Sequence, residues 1–98
     1  MFIGRVVGNL WATKKHEALE GKRLLLVQPI DAMSEAAAGE PLLVVDREID
    51  AGPGDTVLVM DEGNSARQVL ADSKAPVRAV VVGIVDQVNA GGRTVKFH

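Results

Sequence analysis

A small, mostly antiparallel β-barrel with one short helical turn is the fold this sequence predicts, and three observations predict it. Apolar residues make up 47% of the 98, yet Phe2, Trp11 and Phe97 are the only aromatics. The core therefore has to come from Val, Leu, Ile and Ala, a set rich in β-branched side chains that suit strands. Short apolar runs alternate with Gly, Pro and Asn turns, and no stretch offers a helix of several turns. Gly4 and Gly8 lie inside the first apolar run, a placement suited to a sheet that bends sharply or meets another backbone closely, as at a barrel corner.

The elements follow in order. Residues 2–12 read as a first strand, with Phe2, Gly4, Val6, Gly8 and Leu10 on one face and Ile3, Arg5, Val7 and Asn9 on the other. Residues 13–22 carry Lys14, Lys15, His16, Glu17 and Glu20, a polar connection ending in a turn at Gly21. Residues 23–28 contain Leu24-Leu25-Leu26-Val27, apolar on both faces and stopped by Pro29. Residues 31–41 form a loop, because Gly39 and Pro41 break any helix begun by Ala36-Ala37-Ala38. Residues 42–46 make a third strand. Ala51-Gly52-Pro53-Gly54-Asp55 is a tight turn into a fourth, residues 56–60. Gly63-Asn64-Ser65-Ala66-Arg67-Gln68 then starts a helical turn, since Ser65 and Gln68 have capping-box spacing. Residues 77–88 are the longest apolar run, too short for a membrane and too β-branched for a helix. Asn89-Ala90-Gly91-Gly92 turns into a last strand at residues 94–97, completing a hairpin and six strands in all.

Length and charge bound the function. Residues 1–98 are expected to form a single domain, which at this size buries only about 60 to 65% of the surface its unfolded chain exposes. Two strands apolar on both faces, in a chain short of core, predict that another subunit covers one face of each. Without cysteine there is no disulfide, thiolate metal site or cysteine nucleophile. A net charge of −2 and a pI near 5.6 give no broad attraction for nucleic acid or an anionic membrane. The start of the chain has no signal-peptide pattern and no window approaches a membrane span, so a cytosolic location is expected.

Catalytic and ligand readings find little support. Phosphate loops sit between a strand and a helix, whereas a strand follows Gly54, and no Lys-Ser/Thr pair is present there. A hydrolase would have to combine Ser65 with His16 or His98 and an acid such as Asp86, and nothing brings these together. Two histidines without close spacing make a poor metal site. No enzyme activity, cofactor or metal is expected. Lys14, Lys15, Lys22 and Arg23 beside Trp11 sketch a basic patch for nucleic acid, the alternative binding-module reading, but Glu17 and Glu20 offset it. Asp46, Asp50, Asp55, Asp61 and Glu62 fall on turns, where solvated acids usually sit.

The order Gly4, Gly8, Thr13-Lys14, Leu19-x-Gly21, residues 24–27, Asp46, Ala51-Gly52-x-Gly54, Val57-Leu58, Gly63-x-Ser65-Ala66-Arg67-Gln68, Pro76-Val77 and Gly83-Ile84-Val85-Asp86 resembles the pentameric vertex proteins of bacterial microcompartments. The likeness spans nearly the whole chain. It implies a five-stranded, oligonucleotide-binding-like barrel, five copies of which cap a five-fold vertex of a polyhedral shell in the cytoplasm. Homopentamers, beside hexameric and trimeric shell proteins, are the implied partners. A pore or five-fold axis is expected at Gly63, Asn64, Ser65, Ala66 and Arg67, and subunit contacts at Ala51, Gly52, Gly54, Gln68, Leu25 and Val81. Departures from the family pattern are Asn64 for the usual Ser, Ile49-Asp50 for the usual Val-Gly, and Asp55 for the usual Glu.

Overall fold

The computed structural model describes residues 1–10, 23–60 and 79–97. Seven strands run through them: β1 (Phe2–Leu10), β2 (Arg23–Pro29), β3 (Leu42–Asp46), β4 (Thr56–Met60), β5 (Val80–Ile84), β6 (Gln87–Ala90) and β7 (Arg93–Lys96). The first five close into a barrel in the order β1-β2-β3-β5-β4, while β6 and β7 pair only with each other. All barrel pairings are antiparallel except β3 with β5, which run parallel and meet at Val45 and Val80. The expected all-β barrel is present. No helix occurs among the described residues, so the single short helix is not borne out, and the stretch from Ser65 lies outside them.

Period-two alternation fills the barrel. Val6, Leu25, Val27, Val44, Val57, Val59 and Val81 point inward with Ala51 and Ala79, and Phe2, Leu42 and Ile49 pack against them. The aliphatic core anticipated from composition is thus built from neighbours on five strands. Gly4 lies at the tightest point. A Cβ there would run into Val27 Cγ1 and sit 3.0 Å from the Gln28 carbonyl oxygen, so only glycine lets β1 pass β2 this closely.

Two bulges alter the expected faces. Val6 pairs with Val27 but Gly8 pairs with Leu26, leaving Val7 as the extra residue on β1. Before the bulge Phe2, Gly4 and Val6 face the core; after it Gly8 and Leu10 share the outer face with their partners Leu26 and Leu24. The single face expected for Phe2, Val6 and Leu10 is therefore corrected. In the same way Leu58 pairs with Gly83 and Val59 with Val81, making Val82 the extra residue on β5.

The run at residues 77–88 divides. Val85 donates its N–H to the Thr56 carbonyl at 2.8 Å, ending the barrel strand, and β6 begins at Gln87 as the first arm of a separate hairpin. Gly91 (φ +56°) and Gly92 (φ +77°) form its two-residue turn, with both central residues in the left-handed region as a type I′ turn requires. The loop after β2 is more ordered than its sequence suggested. The Asp31 carboxylate accepts from the Met33 and Ser34 N–H groups at 2.9 and 3.0 Å, and Ile30 bridges Ala37.

Candidate assembly surfaces

The segment joining β3 to β4 is built around a buried acid. Asp46 is 1% exposed. Its Oδ1 accepts from the Ile49 N–H at 2.9 Å and its Oδ2 from the Ala51 N–H at 2.7 Å, which folds residues 47–51 back over the end of β3 and carries Ala51 into the core. The expectation that Asp46 is a solvated turn acid is corrected. A carboxylate has two acceptor oxygens, and here each satisfies a backbone donor that folding withdraws from water. Arg23 stands outside, with Nη1 3.8 Å from Asp46 and 2.8 Å from Asp50 Oδ1. Asp50 itself has φ +60°, the conformation that explains why glycine is usual at this position in the vertex-protein pattern.

The following turn docks on β1. Gly52 C=O accepts from the Asp55 N–H at 3.0 Å, Asp55 Oδ2 accepts from the Gly52 N–H at 2.8 Å, and Gly54 has φ +94° behind Pro53. These are the features of a type II turn, in which proline fixes the first central residue and glycine supplies positive φ at the second. Val6 receives the Gly54 N–H and donates to the Asp55 carbonyl, both at 2.9 Å, opposite its own bulge. The amides of the turn are spent on the protein itself. An inter-strand turn, not a phosphate cradle, is what the sequence predicted and what the geometry shows.

Residues expected at subunit contacts separate into three groups. Leu25 and Ala51 are fully buried and Val81 is 3% exposed within the single chain, so their side chains pack in the barrel's own core. Gly52 is half-buried and Gly54 exposed. Gln68 lies outside the described residues, as do Gly63, Asn64, Ser65, Ala66 and Arg67 of the expected axis, the histidines, Trp11 and the three lysines of the basic patch.

The two-sided apolar reading of β2 and β5 survives in a different form, through residues the sequence reading had not singled out. Leu26 and Leu43, 37% and 45% exposed, are cross-strand partners on the outer face, continued by Gly8 on β1. A second outer row runs from Ile3 on β1 through Leu58 on β4 to Gly83 on β5, with Ile3, Leu58 and Gly83 each half-buried. An added Cβ at Gly83 would meet no atom within 4 Å. The signal that finds both rows is the residue between two inward ones: Leu26 between Leu25 and Val27, Leu58 between Val57 and Val59. Beside β5 an open depression of ≈ 330 Å³ is lined by Arg47, Glu48, Ile49, Val81 and Val82. No group of three or more metal-binding side chains occurs among the described residues.

Against this geometry, the family model described as "Ethanolamine utilisation protein EutN/carboxysome" matches residues 1–86. The chain belongs to the EutN/CcmL family. It is 40% identical over 98 residues to the bacterial microcompartment shell vertex protein EutN of Salmonella typhimurium, covering 100% of this chain and 95% of that one. Similarity to the carboxysome shell vertex protein CcmL of Gloeobacter violaceus is 39% over 95 residues, 95% of this chain and 90% of the other. Among solved structures, the GrpN pentameric microcompartment shell protein from Rhodospirillum rubrum superposes with a TM-score of 0.77 at 39% identity, covering 92% of this chain and 99% of that one. These relatives are named as structural shell proteins and not as enzymes, in agreement with the resemblance read from the sequence.

Proposed function

We propose that this chain is a structural shell component, five copies of which form a closed ring that caps a five-fold vertex of a bacterial microcompartment in the cytoplasm. The observation that carries this is near full-length similarity to vertex proteins, one of them pentameric in its solved structure, on a closed barrel that leaves apolar rows on its outer face. The closed barrel has no sheet edge to extend, so it offers a neighbour its wall side chains, while the β6–β7 hairpin, paired only with itself among the described residues, keeps open edges. Residues 1–98 act as one domain, with hexameric and trimeric shell proteins meeting the rim of the ring. Native mass spectrometry should give about 52 kDa for five copies of the 10.4 kDa chain, and mixing with a hexameric shell protein should yield closed particles. A monomer under all conditions overturns the assignment.

Within this reading Gly63 to Arg67 line the five-fold axis, a placement supported by the sequence resemblance. Arg67→Glu should then reverse the sign of five charges around the axis and leave the ring mass unchanged. Gly52 and Gly54, at the surface turn, and Gln68 are the remaining candidates for contacts between subunits. The nucleic-acid alternative fares poorly on the described surface, because Arg5 is paired with Glu35 at 2.6 Å and Arg23 with Asp50 at 2.8 Å. Salt-dependent quenching of Trp11 fluorescence by an oligonucleotide would favour that alternative instead.

A further inference from the structure

We propose that the two outer rows are the two unlike halves of one ring contact: Gly8–Leu26–Leu43 of one subunit seats against Ile3–Leu58–Gly83 of the next. The inference rests on the ring reading and specifies which walls meet. A closed cyclic ring with more than two members joins each subunit through two different patches, one facing each neighbour. The described wall offers two such rows. The first row is centred on β2 and the second on β4, and β2 and β4 are not adjacent in the order β1-β2-β3-β5-β4.

Shape and chemistry suit the pairing. Leu26 and Leu43 are among the most exposed large apolar side chains of the barrel wall, and they stand side by side on adjacent strands. Opposite them in the proposed contact, Gly83 is a gap in the wall with open space above it, flanked by Leu58. A protruding leucine pair and a glycine recess are complementary, and the rows carry no charged side chain that burial would strand. The occupant is a second copy of this chain, because the similar GrpN structure is pentameric and two unlike, uncharged wall rows fit the two unlike faces that each member of a ring turns to its neighbours.

The chain contains no cysteine, so a directed disulfide tests the contact. Leu26→Cys and Gly83→Cys are introduced together. Within one chain these positions lie on β2 and β5, two strand steps apart and roughly 10 Å or more by strand spacing, which exceeds the reach of a disulfide. Oxidation of the double variant should therefore link neighbours only, giving a non-reducing ladder that ends at five chains, while either single variant stays unlinked. A double variant that keeps the five-chain mass but forms no ladder overturns the pairing. A wild-type chain that stays at one-chain mass fails the ring reading, and the proposal with it.

Leu43→Lys provides an independent measurement if the double variant folds poorly. Leu43 is 45% exposed in the single chain, so the substitution should leave the β-sheet circular dichroism intact. It should weaken the ring by at least about tenfold in dissociation constant, as loss of a central apolar anchor does. Ring affinity unchanged in this folded variant overturns the proposal.

Discussion

Replacing Asp46 by alanine removes the acceptor for two backbone donors while leaving every other strand residue in place. The Ala51 N–H, 2.7 Å from Asp46 Oδ2, belongs to a fully buried residue; the Ile49 N–H, 2.9 Å from Oδ1, to a half-buried one. An unsatisfied buried donor costs about 1 to 3 kcal/mol, and a charged acceptor to a partly wet donor adds about 1. Asp46→Ala should therefore destabilise by about 3 kcal/mol. Arg23→Ala removes only a 3.8 Å contact to Asp46 and an exposed pair to Asp50, worth less than about 1 kcal/mol in all. Asp46→Asn falls between, near 2 kcal/mol, because one oxygen still accepts but the amide NH₂ turns a donor toward a donor. At about 4 to 8 °C per kcal/mol for a domain of this size, Asp46→Ala should lose about 12 to 24 °C in Tm and Arg23→Ala under about 8 °C. Thermal melts at one protein concentration are the assay, since ring dissociation makes Tm concentration-dependent. If Arg23→Ala falls as far as Asp46→Ala, an ion pair holds the segment and the hydrogen-bond argument is wrong. If Asp46→Ala melts within about 4 °C of wild type, the carboxylate holds nothing.

Gly4→Ala should destabilise by about 1 to 3 kcal/mol in chemical denaturation, because its methyl overlaps Val27, whereas Gly8→Ala, whose nearest contact would be Leu26 Cβ at 3.9 Å, should stay near wild type. Asp50→Gly exchanges a left-handed conformation that costs an aspartate about 1 kcal/mol for the loss of an exposed ion pair, so a neutral to slightly stabilising change in Tm is expected. The Asp31 carboxyl is held below the usual carboxylate range by the N–H of Ser34, then that of Met33, with partial desolvation opposing and the Ser34 hydroxyl assisting. A carboxyl lowered by folding stabilises the loop above the unfolded-chain value of about 4, and that contribution disappears as pH falls through the lower folded value. Protection of the Ser34 and Met33 amides, taken against the intrinsic exchange rate at each pH, should fall only in that acid window, and Asp31→Asn should abolish the dependence.

Much of this fold is legible because local chemistry and long-range pairing agree. Gly52-Pro53-Gly54 can do little but turn, Gly91-Gly92 accepts the two positive φ angles of a hairpin, and the valine-rich runs have no other use than strands. What stayed hidden depends on registers that a single strand does not encode. Val6-Val7 offers two adjacent apolar residues, and only pairing with β2 shows that Val7 is the bulge that turns Gly8 and Leu10 outward. The same holds for Val80-Val81-Val82, where alternation is lost and the inward member is chosen by Val59 across the ladder. For that reason the sequence alone does not tell the inward Leu25 and Val81 from the outward Leu26 and Gly83. Asp46 departs from its expected exposure for a different cause: a turn acid and a buried acid have the same sequence, and only the returning N–H groups of Ile49 and Ala51 tell them apart.

The barrel's closure is uneven around its circumference. Four of its seams are antiparallel ladders, but among the described residues β3 meets β5 in one parallel pair, Val45 with Val80, supported by the Val45 N–H on the Ala79 carbonyl at 3.1 Å. β1 and β4 are further apart in the chain, yet they share four antiparallel pairs, so among the described residues the β3–β5 seam has the least hydrogen bonding to offset its loop closure. It is the place where the wall should zip last during folding and part first under stress. The Val45 amide should accordingly exchange with solvent sooner than the equally buried amides of Leu25 and Val57, and partial unfolding should yield an open five-stranded sheet, β3-β2-β1-β4-β5.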